Sequence, residues 1–459
     1  MVACPSPATN CSVQITRALR SAHSSTCEAA WRERLWLPVP SALGCLETGL
    51  LLDGRMFEVA PFRICPRCEG ESFGTLSVGG TRVVKRCKAC AYSHDEVLPD
   101  VDKRVVYLDQ FAVSELYKTK TKTRKPGAPR EQFWQDCYAL ANRAYLRQQV
   151  IFPASNLHSD ETIVWHSPAE LRLAHEMFSG ETSFERTDAI ATQQEWEFAK
   201  AYLKGEPPPS LGTSVDEIIF GTRNVWLPIY HISVNSDYSV FAPGLRQDKA
   251  VAEASHKQLA DVWVKKRPTF NDILQNELSS YGSAMREALS VQISRTQAAI
   301  VSDDPTSVLD IRFGLIGRYA RLSALFERNG VPAKDAFKEV LNFLEWPGNQ
   351  QQPAHKIFAY LFAALGWRIS SGQRPVMNAS ILNDFSAIST YAPYVDAMFV
   401  DRQCASLLKQ GRLRSELSYK ARIFSMSDPQ EFLDYLKSLG DAATVDVGEF
   451  ACDLYGSEA

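Results

Sequence analysis

The chain reads as an α/β protein: a parallel sheet of buried strands, interrupted by a long helical stretch and preceded by a small four-cysteine module. Three observations predict this. RVVYLD (104–109) and VDAMFVD (395–401) are short strands with apolar residues on both faces, the pattern of strands inside a parallel sheet. RVVYLD is followed by a helical pattern, EQFWQDCYALANRAYLR, and then by a second buried strand, QQVIFP, which is strand–helix–strand order. Between the two α/β portions, most of the chain carries apolar residues at helical spacing.

The segments follow in order. Residues 1–58 are irregular, with Cys4, Cys11, Cys27 and Cys45 at spacings that match no metal site and a short helix expected near 28–35. Residues 59–98 hold CPRC (65–68) and CKAC (87–90), joined by GTLSVGGTRVVKR, two β-prone runs around a Gly-Gly turn. Residues 99–165 form the first part of the α/β core. Ser167-Pro168-Ala169-Glu170 opens a helical insertion over 166–370, with Ser as cap, Pro at the first helical position and Glu three residues after the cap. LDIRFGLIGRYARLSALFERNG and PAKDAFKEVLNFLEW are helices within it, and EPPPS (206–210) is a break. Residues 371–440 resume the α/β pattern with SILNDFSAISTYA as a helix, DAMFV and ARIFSM as strands, and a last helix started by Asp428-Pro429-Gln430-Glu431. Residues 441–459 are acidic and rich in small residues, the composition of a surface tail.

A chain of 459 residues with 45% hydrophobic and 22% charged content is an ordinary globular protein. A net charge of −3 supplies no global field for nucleic acid or an anionic membrane, so any such contact is local. No stretch reaches the roughly 18 apolar residues that span a bilayer, and the run near 357–367 reads as a buried helix. The N-terminus lacks the charged-then-apolar pattern of a signal peptide. Eleven cysteines with two Cys-x-x-Cys pairs and no export signal favour metal over disulfides and a reduced, cytoplasmic setting, with no membrane partner.

Cys65, Cys68, Cys87 and Cys90 have the spacing of a zinc ribbon: each knuckle offers two sulfurs from one tight turn, and the hairpin brings the pairs together. Arg67, Arg82, Lys85, Arg86 and Lys88 lie beside them and favour ionised thiolates. The ribbon is either a structural knob or a nucleic-acid contact, with Phe73 and Tyr92 as candidate stacking residues.

Asp109 directly follows the strand VVYL, and Asp401 follows DAMFV, so both stand at C-terminal strand ends, where open α/β sheets bind ligands. Asp384 falls at the rim of the apolar face of its helix, from which it can lean over the strand ends. Glu161, with Asp160 as competitor, follows the second strand; either is equally a helix-start acid. Asp396 alternates to the other face of its strand, as a bystander or as a support for the site. His158 either positions a phosphate or water or bonds its own turn. Acids converging on one crevice repel unless a cation lies between them, and hard Mg²⁺ or Mn²⁺ suits oxygen ligands.

VVYLDQF, a strand and Glu some fifty residues on, ND in a helix, and PYVDAMFVDR together resemble the PIN-like nuclease superfamily. The resemblance covers residues 104–165 and 375–437, and the matching positions are Asp109, Glu161, Asp384 and Asp401. It implies a Rossmann-like α/β/α core and Mg²⁺- or Mn²⁺-dependent endonuclease cleavage, most often of RNA, and many prokaryotic members act as toxins or in defence. The long stretch between Glu161 and Asp384 departs from compact members and is accounted for by the helical insertion, expected to pack against the core and wall the crevice. The expected function is therefore an endoribonuclease. A non-catalytic nucleic-acid-binding scaffold and a DNA endonuclease are the alternatives. Lys118, Lys120, Lys122, Arg124 and Lys125 form a basic run that either guides phosphates past the site or is a solvated loop.

Overall fold

The computed structural model describes residues 62–158, 173–228, 242–301, 315–373, 375 and 377–456. The N-terminal extension with its expected helix, the helix start at Ser167, and both Asp160 and Glu161 lie outside the described residues.

The first unit is an antiparallel sheet of four strands in the order β1 (Arg63–Ile64), β2 (Glu71–Gly79), β3 (Arg82–Cys87) and β4 (Ser93–Val97). The expected hairpin is β2–β3, turning at Gly80 with φ +61, a left-handed conformation that glycine adopts without strain. Its two ends belong to different cores. Cys65, Phe73 and Cys87 make a small cluster at the knuckles, whereas Val78 and Val83 near the turn join the main core.

The second sheet is parallel. Strand β5 (Arg104–Leu108) leads to α1 (Gln110–Lys120) and α2 (Glu131–Leu146), then to the two-residue strand β6 (Val150–Ile151). A small antiparallel pair, β7 (Ser183–Phe184) and β8 (Ile219–Phe220), brackets α3 (Thr187–Lys204). The helical stretch continues as α4 (Ala242–Lys266), α5 (Phe270–Val301), α6 (Leu315–Arg328), α7 (Ala333–Leu344) and α8 (Pro353–Ser370). Then come α9 (Ala379–Tyr391), β9 (Ala397–Val400), α10 (Arg402–Leu408), α11 (Gly411–Glu416), β10 (Arg422–Ser425), α12 (Pro429–Asp441) and α13 (Val445–Tyr455). The parallel sheet runs β10-β9-β5-β6, with Leu108 paired to Phe399 and Val400 to Ser425.

Residues alternate across this sheet, and their aromatic contacts define the layers. Phe399 packs against Phe111 of α1, Trp134 of α2 and Phe432 of α12. Tyr107, one position out of phase, packs against Phe184 and Tyr391 of α9 on the opposite face. Helix α9 is in turn backed by α8, whose Ile357 and Leu361–Leu365 are buried because this helix is apolar on every side. The protein is thus mixed α/β, mostly helical, with a parallel sheet between helical layers.

The helical insertion divides its allegiance. Helix α8 shares the main core with the sheet, while Phe198, Met285, Leu289, Leu322, Phe326, Val340 and Phe343 from α3, α5, α6 and α7 form a second core. Gly282 on α5 lets the Leu344 carbonyl of α7 come so close that a side chain at 282 has no room.

The acidic tail is a correction. Residues 445–455 form α13, capped by Thr444, with Val447, Ala451, Leu454 and Tyr455 buried at helical spacing and the Tyr455 hydroxyl donating to the Leu227 carbonyl at 2.8 Å. Asp446 and Glu449 are exposed and Asp453 pairs with Lys85 and Arg63 of the ribbon, and this acidic composition conceals the apolar stripe. Among the described residues no helix is long and apolar enough to cross a membrane.

Candidate functional site

The four ribbon cysteines converge. Cys65 Sγ lies 3.6 Å from Cys90 Sγ and Cys68 Sγ lies 3.7 Å from Cys87 Sγ, and all four sulfurs lie within 4.8 Å of one another. A tetrahedron of Zn–S bonds of about 2.3 Å has edges of about 3.8 Å. The group could therefore hold zinc with little rearrangement. Backbone N–H groups of Arg67 and Cys90 point at Cys65 Sγ and Cys87 Sγ (3.4 and 3.5 Å), and the Ser72 hydroxyl is 3.1 Å from Cys87 Sγ. Ser72, followed by the Cys90 N–H, draws the Cys87 thiol down to about 6, toward the thiolate a metal needs.

The candidate stacking residues of the ribbon are engaged inward. Phe73 is buried and packs on Tyr92 (centroids 5.7 Å) beside the cysteines, so both rings line the knuckle core. Of the cations, Lys85 pairs with Asp453 (2.8 Å) and Glu96, and Arg82 pairs with Asp95, leaving Arg67, Arg86 and Lys88 exposed.

The second site lies on the parallel sheet. From β5 the chain moves outward to β6 on one side; from β9 it moves to β10 on the other. The reversal of strand order falls between β5 and β9, and the crevice beyond the C-terminal ends of two such strands is where α/β sheets bind ligands. Asp109 ends β5 and Asp401 ends β9, and the Asp109 N–H donates to the Phe399 carbonyl at 3.0 Å. The two aspartates stand at the same edge on neighbouring strands. Asp384, half-buried on α9, reaches this edge from the adjoining layer: ligand atoms of Asp384, Asp401 and Cys404 lie within 4.8 Å of one another. Asp109 is not part of that trio. It stands close enough, however, for its charge to act on Cys404.

Cys404 was not singled out from the sequence. It is fully buried, its Sγ is 4.0 Å from Asp384 Oδ2, and its N–H donates to Asp401 Oδ1 at 2.5 Å, which makes Asp401 the N-cap of α10. Burial, then the charges of Asp384, Asp401 and Asp109, pushes the Cys404 thiol far up, so it stays protonated. Its one sequence signal is position: three residues after a capping aspartate. Gln110, next to Asp109, has both amide atoms buried and without a partner. The donor set is therefore two converging carboxylates, a third at the same edge and a neutral thiol. Oxygen donors of this kind fit a hard divalent ion.

Two residues that the sequence left open between a part in the site and a structural one have structural partners. Asp396 opens β9 and lies at the opposite end of the strand, about 16 Å from Asp401 at about 3.3 Å per residue. There it accepts the Val105 N–H (2.9 Å) and pairs with Lys420 (3.1 Å) and Arg104 (3.5 Å), a purely architectural task. His158 exchanges hydrogen bonds with Ser155 within its own turn and is stacked between Tyr107 (5.2 Å) and His175 (4.5 Å). Burial, then His175, holds it neutral far below the usual histidine range, so it offers no charge to a phosphate.

The basic run is partly spent. Arg124 folds back onto Glu115 of α1 and donates to the Pro129 carbonyl at 2.7 Å, and Lys118 also pairs with Glu115 (2.8 Å). Lys120 is lowered by burial. Lys122 and Lys125 are the exposed members, at the end of α1 remote from Asp109.

Comparison with known proteins gives no match: no family model, no curated protein and no solved structure aligns with the chain.

Proposed function

We propose that this chain is a metal-dependent nuclease, acting on RNA rather than DNA, with a PIN-like core and a structural zinc ribbon. The observation that carries the reading is the placement of Asp109, Asp384 and Asp401 around the point where the strand order of a parallel sheet reverses. Asp384 and Asp401 would hold Mg²⁺ or Mn²⁺, with Asp109 across the crevice. Bound there, such an ion supplies electrostatic stabilisation to the oxygens of a phosphodiester undergoing cleavage. The chain's own part is geometric: the strands fix two carboxylates, α9 brings the third, and Cys404, kept neutral, adds no further charge to the cluster. Glu161 or Asp160 is the proposed fourth acid.

A second reading, a nucleic-acid-binding scaffold without catalysis, draws on the Asp401–Cys404 hydrogen bond, since an aspartate that caps a helix has a structural reason to be there. Incubation of end-labelled RNA and matched DNA with the purified protein in Mn²⁺, beside Asp401→Asn and a chelator control, separates the readings. Metal-dependent RNA cleavage lost in the variant supports the nuclease. Cleavage of DNA alone moves the substrate class, and binding without any cleavage leaves the scaffold.

A further inference from the structure

We propose that the outer face of the ribbon sheet, centred on Phe62, is a stacking platform for single-stranded nucleic acid. The antiparallel registers that pair Arg63 with Phe73, Gly74 with Arg86 and Arg86 with Ser93 place Phe62, Gly74, Arg86 and Ser93 in one cross-strand row. Directly paired residues point to the same face. Gly74 is what lets the ring lie down: a Cβ there would sit 2.8 Å from Cδ1 and Cε1 of Phe62, so any other residue would lift the ring off the sheet. Phe62 is 46% exposed, whereas Phe73 on the adjoining strand β2 is buried on the opposite face. The ammonium of Lys88 lies over the Phe62 ring at 3.7 Å, and Arg86 is exposed beside it.

A half-exposed aromatic ring with one cation over its face and another beside it matches one chemistry well. A base takes the place of the Lys88 ammonium on the ring, and the phosphates on either side of the base take up Lys88 and Arg86. The register shift in β1–β2 pairs Glu71 with Ile64, so this exposed acid projects on the face of Phe62 at the knuckle end, beyond the row that holds Arg86. A duplex buries its base faces and cannot use the ring. The occupant is therefore an unpaired strand, bound without sequence preference. This platform is distinct from the carboxylate site, and binding to it does not depend on cleavage.

Fluorescence anisotropy of a labelled 20-nucleotide RNA, measured on the full chain in Mg²⁺-free buffer without chelator so that zinc stays bound, tests this. Phe62→Ala is expected to weaken binding roughly ten-fold, with zinc content and thermal stability unchanged. Arg86→Ala with Lys88→Ala is expected to reduce the slope of log affinity against log salt by ~1.4, the value for two lost phosphate contacts on a single strand. Equal affinity for a duplex of the same length, or wild-type affinity in Phe62→Ala, overturns the proposal and leaves the face to a protein partner. A Phe62→Tyr variant should bind as wild type; if it fails along with Phe62→Ala, the ring is only packing on Gly74 and the proposal falls.

Discussion

A capping aspartate and a metal-binding aspartate both need an oxygen, but only the second needs its charge. Asn is as good a helix cap as Asp, so Asp401→Asn keeps the acceptor for the Cys404 N–H and removes the charge alone. Asp109→Asn does the same at the end of β5. Each substitution is expected to lower RNA cleavage at least a hundred-fold while urea unfolding moves by less than ~1 kcal/mol, or shifts toward stability as repulsion around Asp384 is relieved; activity retained in both would end the nuclease reading. A second residue-scale prediction concerns Lys103. Its side chain is 1% exposed and its ammonium meets the Val225 carbonyl at 2.5 Å, with burial lowering its pKa to about 7. The folded chain therefore sheds this proton near pH 7 while the unfolded chain keeps it to its ordinary value. Unfolded molecules bind more protons across that window, and stability rises with pH from about 7 toward 10. Lys103→Met should be the more stable protein at pH 6.5, by up to a few kcal/mol, and the gap should close by pH 9.5. Urea unfolding of both proteins across that range checks it, and a gap that is constant with pH would show that the lysine is not buried as charge.

At the scale of elements, the two halves of the ribbon differ in what holds them. The knuckle half rests on four sulfurs and a cluster of Phe73 and Tyr92, whereas Val78 and Val83 are set into the main core and the Trp226 N–H donates to the Gly80 carbonyl at 2.9 Å. Metal binding supplies much of the folding free energy of such a small module. Zinc removal, or Cys87→Ser, is expected to open amides at Phe73, Gly74 and Cys87 to hydrogen exchange while Val78 and Val83 stay protected; uniform loss across β2 and β3 would contradict this division. The same contrast explains what could be read in advance. Strands β5 and β9 announce themselves because Val105–Leu108 and Ala397–Val400 are apolar throughout, and the cysteine pairs because zinc geometry tolerates few spacings. Helix α13 was hidden because its stripe of Val447, Ala451, Leu454 and Tyr455 is thin among acids and small residues. Asp396 and Asp401 look alike in sequence, five residues apart, and only strand direction reveals that one faces the crevice and the other Arg104 and Lys420. Cys404 and Phe62 carry no motif at all, since their surroundings come from α9 and from Gly74 across a strand.

For the whole molecule, the presence of two apolar cores raises the question of how many cooperative units the chain contains. The main core runs from the ribbon turn through the parallel sheet to α8, α9, α12 and α13, and the second gathers α6 and α7 against α3 and α5. Helices α3 and α5 also touch the main body: Gln194 of α3 donates to the Tyr394 hydroxyl at 3.1 Å, and α5 packs along α8. The second core is smaller, and among the described residues these helices and the turn at Pro347–Gln351 join it to the main body. Phe326 is fully buried there, in contact with Tyr202 and Phe343. Removing its ring should cost about 3–5 kcal/mol through lost burial and the cavity left behind, a loss confined to that core. The expected result for Phe326→Ala is an unfolding curve split in two, with amides of α6 and α7 exchanging at low denaturant and those of β5 and β9 holding to the later transition. The sheet edge that carries Asp109 and Asp401 would then survive the first transition, and so would the four-cysteine ribbon. A single transition in the variant, with all amides exchanging together, would show instead that α3 and α5 couple the cores into one folding unit, and that the helical insertion cannot loosen without the carboxylate site loosening with it.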